Sequence, residues 1–310
     1  MVKIILTMGD PAGVGPELCV RAAALPEFKG VPFVIYGASD VLQEAAKRFT
    51  NGVLPEIRDT GALGAFEFGK ASAACGKAAF DALTSATQAL LAKEAGAMVT
   101  APMNKYAVNL AGIPFTGHTE RIAELCNTQS FAMMQSSGNF RVAFVTTHIG
   151  IAEVPTHVTF KRIVEVGKML NDVILSEGIP SPRIACAALN PHAGENGCMG
   201  KEDEEVVKPA IAQLQQAGIH VEGPFPPDVI FVEKFRSRYD GIISMYHDQG
   251  HIPFKMVAFD SGVNSTLGLP IIRTSPDHGT AFDIAWQGKA DLGSFTAACR
   301  SAVLRAEKRS

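Results

Sequence analysis

The chain alternates short apolar runs with longer helical patterns, and this alternation constrains its fold more than any other feature. The runs with the length of buried strands are Lys3–Thr7, Pro32–Tyr36, Ala97–Thr100, Arg141–Thr147, Arg183–Leu189 and Asp240–Met245. The helical patterns are Pro16–Leu25, Ser39–Arg48, Gly69–Ala95, Thr119–Cys126, Thr159–Ser176, Glu202–Ala217 and a C-terminal stretch from Ser294. Strands that alternate with helices in this way predict an α/β protein with a largely parallel sheet.

The length of the chain and one interruption of the strand–helix alternation bear on the domain organisation. At 310 residues the chain is long enough for roughly two domains or for one large α/β body. It contains no internal repeat, low-complexity tract or long linker. Residues 128–141 interrupt the alternation of strands and helices, and we place a passage between two lobes there.

Composition argues against several classes of protein. A formal net charge of −3 disfavours a nucleic-acid protein, and one Trp with four Tyr disfavours a base-stacking surface. No stretch approaches the roughly 18 apolar residues of a membrane span, and the apolar run at Met1–Thr7 is too short for a signal peptide. The cysteines form no C-x-x-C pair, so we expect buried, reduced thiols and a cytoplasmic protein. They are Cys19, Cys75, Cys126, Cys186, Cys198 and Cys299.

The segment Gly9–Glu17 follows the first predicted strand and opens a helix. Pro16 suits the first helical position. The third glycine of the G-x-G-x-x-G dinucleotide fingerprint is absent. We therefore interpret the segment first as a tight strand-to-helix turn.

Three histidines each follow the carboxyl end of a predicted strand: His148, His192 and His247. In open α/β sheets this edge forms the ligand crevice. Converging imidazoles there would suit a catalytic metal with positions left for substrate or water. Histidines after strands are also common as hydrogen-bonded loop residues, and the residues alone leave both interpretations open.

Other polar residues suggest roles that each have a simpler alternative. Asp248 could orient a ligand or accept a proton, or it could cap a helix, and Glu195 is equally ambiguous. The run Gly117–Glu120 precedes a helix, where backbone N–H groups favour an anion, but Thr119 could be an ordinary N-cap. Lys255, Asn264 and Arg273 would suit a phosphate or carboxylate if they share one pocket.

Six blocks together resemble the 4-hydroxythreonine-4-phosphate dehydrogenase family, in family order and across nearly the whole chain. They are Thr7–Glu17, Thr100–Lys105, Gly117–Glu120, Asn190–Glu195, Tyr246–Gly250 and Gly262–Arg273. The resemblance implies the isocitrate/isopropylmalate dehydrogenase-like fold, with two α/β lobes and a central cleft. Residues 1–310 are then one dehydrogenase unit of two interleaved lobes, with a boundary near 128–141.

The resemblance also implies a set of site residues. It makes His148, His192 and His247 the ligands of one divalent metal. It makes His118, Thr119, Lys255, Asn264 and Arg273 the substrate-binding set. Asp248 and Lys255 are the catalytic candidates. The loop Asp277–Ala290 would help hold the dinucleotide, with Asp277, His278, Gly279 and Thr280 as its contacts.

The expected reaction is the oxidation of a C3 hydroxyl in a 4-phosphorylated C4 acid by NAD or NADP, followed by decarboxylation. The family is a homodimer whose metal site takes ligands from both subunits. Histidine ligation suits Zn²⁺, Co²⁺ or Ni²⁺, with Mn²⁺ and Mg²⁺ less natural. The substrate is expected to be small, and no nucleic acid or membrane is expected as a partner.

The substrate branch is open between 4-hydroxythreonine-4-phosphate and 4-phospho-D-threonate or 4-phospho-D-erythronate. The residues around His251 and Trp286 resemble the branch that acts on the hydroxy acids. A cyclic dihydrodiol dicarboxylate is the alternative substrate, and the intact phosphate-binding set argues against it. A phosphate acyltransferase and a non-catalytic binding protein are the remaining alternatives on this fold.

Overall fold

The computed structural model describes residues 2–309. The strands are β1 (Ile4–Thr7), β2 (Phe33–Gly37), β3 (Glu56–Asp59), β4 (Ala97–Thr100), β5 (Ala132–Ser137), β6 (Phe140–Phe144), β7 (Arg183–Ala187), β8 (His220–Phe225), β9 (Gly241–Ser244), β10 (Val263–Leu267) and β11 (Ile272–Pro276). The helices are α1 (Gly15–Ala23), α2 (Ser39–Phe49), α3 (Ala73–Leu91), α4 (Lys105–Leu110), α5 (His118–Leu125), α6 (Val154–His157), α7 (Phe160–Ser176), α8 (Lys208–Gln216), α9 (Pro227–Ile230), α10 (Glu233–Arg236), α11 (His247–Ala258) and α12 (Gly293–Arg309).

The chain divides into two compact units. The first consists of Met1–Gln129 with Leu269–Ser310, and the second of Ser130–Gly268. The chain passes into the second unit within the stretch 128–141. It returns after Gly268, at a point that the sequence pattern does not mark.

The first unit is built on a parallel sheet in the order β3-β2-β1-β4-β11. The central strand β1 is fully buried, which explains its continuous apolar sequence. Helix α3 packs Leu83, Ala86 and Leu90 into the apolar core of this unit. This helix begins at Ala73, later than the predicted Gly69, because the Ser72 hydroxyl accepts from the Cys75 amide (3.2 Å) and caps its first turn.

The second unit contains the order β10-β5-β6-β9-β7-β8. Strands β6, β9, β7 and β8 are parallel, whereas β5 runs antiparallel to both β6 and β10. The β5–β6 connection turns at Gly138, whose φ of +54° favours glycine. This hairpin is the physical reason that residues 128–141 interrupt the alternation of strands and helices.

Two expectations from the sequence concern membrane-spanning helices and the burial of the cysteines. No helix among residues 2–309 is long and apolar enough to cross a membrane. All the cysteines are free thiols, but the expectation that they are buried is wrong for two of them. Cys198 is exposed on a loop and Cys126 is partly exposed at the end of α5.

Candidate active site

The three predicted metal ligands all lie in the second unit. His148 follows β6, His192 follows β7 and His247 follows β9, which are neighbouring parallel strands. The structure brings two of them together, because the ring centroids of His148 and His247 are 5.7 Å apart. Both line a cavity of about 310 Å³ with Tyr246, Asp248 and apolar side chains.

His247 is the first residue of α11, and Asp248 fixes its ring. Nδ1 of His247 donates to Oδ1 of Asp248 over 2.7 Å, which leaves Nε2 to accept a proton or to ligate a metal. Carboxylates commonly orient metal-binding histidines in this way. The alternative of Asp248 as a helix cap is not what the structure has, because Tyr246 occupies the N-cap position and Asp248 lies inside the first turn.

His251, one turn further along α11, stacks against the ring of His247. The two imidazoles stack with centroids 4.0 Å apart and an interplanar angle of 14°. The ring of Phe144 lies on the other side of His251, at 4.1 Å. Nδ1 of His251 also bonds to the carbonyl oxygen of His247 (3.1 Å). His251 therefore restricts the ring plane of His247.

His192 lies on an exposed turn with an unusual backbone. Residues 192–196 all have positive φ angles, between 43° and 78°, although only Gly194 is a glycine. Such left-handed residues cost about 1–2 kcal/mol each and need support from their surroundings. The buried Asp203 supplies part of this support, since its carboxylate accepts the amides of Leu189 (2.7 Å) and Asn190 (3.0 Å).

The donor chemistry around His247 fits a borderline divalent metal, but the structure does not bring a third ligand to the first two. Within residues 2–309, no group of three or more His, Cys, Asp or Glu side chains is placed to hold a metal ion. His148 and His247 with Asp248 provide two imidazoles and an orienting carboxylate. The metal role of the triad stays a prediction.

The predicted substrate set of the first unit clusters at the carboxyl end of β4. Arg273, on β11, is only 3% exposed, and its Nε and Nη2 both donate to the hydroxyl of Thr100 (3.1 and 2.8 Å). Burial lowers the pKa of Arg273 to about 10, with Glu120 opposing the shift. The guanidinium therefore remains charged at neutral pH.

His118 begins α5 beside this guanidinium. Its Nε2 donates to the carbonyl oxygen of Ala101 over 3.2 Å, and that tautomer leaves Nδ1 as an acceptor. Burial and, next, the charge of Arg273 lower the pKa of His118 to about 3. The imidazole is therefore neutral under physiological conditions and accepts a hydrogen bond from a hydroxyl more readily than it pairs with a charge.

The other predicted substrate residues lie on well-defined elements. Gly117 is the N-cap of α5 and Thr119 lies inside its first turn, so the alternative that Thr119 caps the helix is wrong. Lys255 is exposed in the second half of α11, and Asn264 is partly buried on β10, both in the second unit.

The predicted cofactor residues follow β11 in the first unit. The amide of Asp277 donates to the Ser294 hydroxyl (2.9 Å), and the Thr280 carbonyl accepts the amide of Val14 (3.0 Å). His278 and Gly279 are exposed between them. A loop with its ends fixed and its middle open could receive a flat ligand.

Sequence reasoning missed two residues that shape these sites. Thr100, which holds Arg273, ends a predicted strand, and this position was a usable signal. Asp203, which holds the segment before His192, sits in one turn of π-helix (Asp203–Val207). A π-helical turn is invisible to a 3.6-residue pattern, so no sequence signal could have found it.

Comparison with known proteins gives these geometries a context. The family model described as "Pyridoxal phosphate biosynthetic protein PdxA" matches residues 28–302. The chain is 39% identical to D-threonate 4-phosphate dehydrogenase of Salmonella typhimurium, over 97% of this chain and 98% of that one. It is 41% identical to 4-hydroxythreonine-4-phosphate dehydrogenase of Desulforapulum autotrophicum, over 97% and 94%.

Solved structures agree. The crystal structure of 4-hydroxythreonine-4-phosphate dehydrogenase from Klebsiella pneumoniae is similar with a TM-score of 0.88 and 38% identity, over 99% of this chain and 100% of that one. Isocitrate dehydrogenase from Methylococcus capsulatus shares the fold at 15% identity and a TM-score of 0.52, over 98% and 85%, which confirms the predicted fold class. The chain therefore belongs to the PdxA family, and it is an oxidoreductase of the dehydrogenase type.

Proposed function

We propose that the chain oxidises the C3 hydroxyl of a 4-phosphorylated C4 acid with NAD or NADP, and that the β-keto acid so formed loses CO₂. Similarity over nearly the whole chain to dehydrogenases of D-threonate 4-phosphate and 4-hydroxythreonine-4-phosphate supports this reaction. The observation that carries the phosphate assignment is the buried guanidinium of Arg273, oriented by Thr100 beside a neutral imidazole.

The charged and the neutral side chains of the proposed substrate-binding set have different roles. Arg273 and Lys255 balance the phosphate charge, while Thr119 and Asn264 contribute neutral donors and acceptors. His118 accepts a hydrogen bond from a substrate hydroxyl at Nδ1, because its Nε2 donates to the carbonyl oxygen of Ala101. These contacts fix the pose of the substrate, and positioning alone contributes several kcal/mol to such reactions.

The residues that would hold the divalent metal are His148, His192 and His247. A metal bound there would lower the pKa of the C3 hydroxyl, and a bound dinucleotide would supply the acceptor for the hydride that leaves C3. Asp248 keeps His247 in the tautomer that ligates through Nε2 and is our candidate for proton transfer, with Lys255 as the second. Asp277, His278, Gly279 and Thr280 would hold the dinucleotide.

Similarity does not choose between the two phosphorylated substrates, since one relative of each kind matches at 39% and 41% identity. Chemistry favours the hydroxy acid slightly. A protonated C2 amine is repelled by a divalent cation and must lose its proton first, whereas a C2 hydroxyl coordinates while neutral. His251 stacks on a predicted metal ligand, and we expect it to be the residue that discriminates between substrates with an amine and with a hydroxyl at C2.

The active form is proposed to be a homodimer in the cytoplasm. Helix α11, which carries His247 and Lys255, also presents exposed apolar side chains from its middle onward, namely Ile252, Met256 and Val257, followed by Phe259. Met256 is 83% exposed and Phe259 72%. A second copy covering this face would exclude water from it and would bring its own residues close to the helix that carries His247 and Lys255.

A cyclic dihydrodiol dicarboxylate is the second candidate substrate. The chain is 27% identical, with a TM-score of 0.74, to a terephthalate 1,2-cis-dihydrodiol dehydrogenase from Burkholderia xenovorans. The presence of Arg273 and Lys255, whose charges suit a phosphate, favours the phosphorylated acids. A phosphate acyltransferase has only fold similarity behind it, at 12% identity to a branched-chain phosphotransacylase from Enterococcus faecalis.

The test is a side-by-side assay of dinucleotide reduction with both phosphorylated acids and the dihydrodiol, at saturating NAD or NADP and metal. We expect the highest kcat/KM with 4-phospho-D-threonate or 4-phospho-D-erythronate, and loss of turnover after chelation. A higher value with 4-hydroxythreonine-4-phosphate would overturn the choice of branch. Turnover of the dihydrodiol alone would overturn the phosphate roles of Arg273 and Lys255.

A further inference from the structure

The turn between β1 and α1 has no role in the proposed reaction, yet it is one of the most enclosed segments of the chain. Every residue from Met8 to Val20 is buried. Loops ordinarily run over the surface because their backbone groups need water. This turn instead finds its partners within the first unit.

The turn is closed on itself and on the loop after β4 by specific hydrogen bonds. The Asp10 amide donates to the carbonyl of Pro102 (2.9 Å), and Oδ1 of Asp10 accepts the amide of Ala12 (2.9 Å). The amide of Gly13 donates to the carbonyl of Asp10 (3.0 Å). Asp10 therefore sets the shape of the turn through both its backbone and its side chain.

The turn contacts the cofactor loop, which we define as residues 277–286, at two points. The amide of Val14 donates to the carbonyl of Thr280 (3.0 Å). Nε1 of Trp286 donates to the carbonyl of Pro11 (2.8 Å). Just beyond the loop, the buried carboxylate of Glu17 accepts the amides of Gly288 and Ala290, each at 3.2 Å.

Contact between turn and loop is close enough to require glycine. A Cβ at Gly13 would lie 2.9 Å from the carbonyl oxygen of Thr280 and 3.1 Å from its Cβ. The obstacle is mainly backbone, so it cannot be relieved by a side-chain rotation. An alanine at position 13 must push the Thr280 segment away.

The cofactor loop has strained backbone that needs such support. Ala281 and Trp286 have φ angles of 41° and 63°, which disfavour residues with a Cβ. The Trp286 ring is further held by stacking on Phe68 at 4.4 Å. Strained conformations persist where the surrounding structure over-determines them.

We propose that the turn Gly9–Gly15 is the positioning element of the cofactor loop, and that Asp10 is the positioning residue that gives the turn its shape. The turn holds residues 277–286 in the binding-competent conformation before the dinucleotide arrives. Binding to a preorganised loop avoids the cost of ordering it. This inference rests on the proposed function, in which that loop receives NAD or NADP.

The experiment compares Gly13→Ala with the wild type and with Gly150→Ala. Gly150 is the matched control, because its added Cβ would meet only the flexible carboxylate of Glu153, at 3.4 Å. Hydrogen exchange is measured without dinucleotide, and NAD and NADP affinities are measured by calorimetry. We expect Gly13→Ala alone to accelerate exchange in residues 278–286 and to raise the dinucleotide Kd about tenfold or more.

Asp10 is tested by two substitutions of different kind. Asp10→Asn keeps the acceptor for the Ala12 amide, and it should retain slow exchange in the cofactor loop and a Kd close to that of the wild type. Asp10→Ala removes the acceptor and should behave like Gly13→Ala. Equal behaviour of the two variants would remove Asp10 from the positioning role.

Two outcomes would overturn the positioning role of the turn, and a third would bear only on the proposed dehydrogenase function. Unchanged loop exchange in Gly13→Ala, or exchange accelerated evenly throughout the chain, would show that the turn does not hold the loop specifically. Failure of the wild type to bind either dinucleotide would instead overturn the proposed function, while the exchange comparison would still decide whether the turn positions the loop.

Discussion

Arg273 directs both Nε and Nη2 at the single hydroxyl oxygen of Thr100, over 3.1 and 2.8 Å. A neutral side chain thus orients a guanidinium that is almost completely buried. Because two guanidinium nitrogens converge on one oxygen, this contact depends on the planar geometry of the group. The consequence is that the planar donor group matters as much as the charge.

Arg273→Lys should reduce kcat/KM for the phosphorylated substrate by roughly tenfold or more. Lysine keeps the charge but cannot present a planar fork to a phosphate, and a charged hydrogen bond is worth about 1.5–3 kcal/mol. Steady-state kinetics with phosphorylated and dephosphorylated substrates provides the measurement. The loss should be smaller without the phosphate, and equal losses would show that Arg273 does not contact it. Arg58→Lys, at an exposed site, is the control.

His192→Ala should leave the fold intact and abolish turnover. The side chain is exposed and lies on a turn held by Asp203, so its removal costs little packing. Circular dichroism and metal titration with Zn²⁺ or Co²⁺ should show a native spectrum with weakened metal binding. The control is His157→Ala, which removes another exposed imidazole. Full activity of the His192 variant after exhaustive chelation would refute the metal assignment.

Asp10→Asn should change how stability depends on pH. Burial raises the pKa of Asp10 from 3.8 to about 6, against the amides of Ala12 and Asn104, which lower it. Because the folded pKa is the higher one, ionisation favours the unfolded chain, and wild-type stability falls as pH rises from about 4 to about 6. The contribution of Asp10 to the free energy of unfolding falls by about 3 kcal/mol over this interval if the pKa shift acts in full.

An asparagine does not ionise, so the variant should gain on the wild type across this interval. Urea denaturation at several pH values measures the difference in the free energy of unfolding. Asp260→Asn, at an exposed position, is the control. A constant difference between Asp10→Asn and the wild type at all pH values would contradict the raised pKa.

Met256→Asp should convert a dimer into monomers. The side chain is 83% exposed on α11, so a single chain loses little when it becomes charged, whereas a covered interface would bury the new carboxylate at high cost. Light scattering should give the mass of one chain. Dinucleotide binding should persist while turnover falls. A wild-type protein that is monomeric at assay concentration would reject the shared site.

The sequence predicted those elements that combine continuous burial with standard periodicity. Strand β1 and helix α7 appear within a few residues of their expected bounds because one is fully buried and the other has a clear apolar face. Strands β10 and β11 were missed since their polar residues, such as Thr266 and Thr274, are nonetheless buried. Strand β8 contains a glycine and a proline, which normally mark turns.

For the site residues, too, the sequence predicted one part of the arrangement and missed another. The placement of His148, His192 and His247 beyond neighbouring strands follows from the strand pattern. Which of them meet within one chain does not follow, because this depends on loop conformations such as the left-handed turn at His192. The stack of His251 on His247 depends on an i, i+4 relation in a helix that was not predicted.

The discontinuity of the first unit fixes an order of assembly during synthesis. Its sheet needs β11, which pairs with β4 across some 170 residues of chain, and α12 packs on that strand. The second unit, Ser130–Gly268, is continuous and emerges complete from the ribosome before β11 has been made. Until then one edge of β4 has no permanent neighbour and the cation that Thr100 orients is missing. The nascent chain therefore contains the three predicted metal ligands of the second unit before the proposed phosphate site around Arg273 can form.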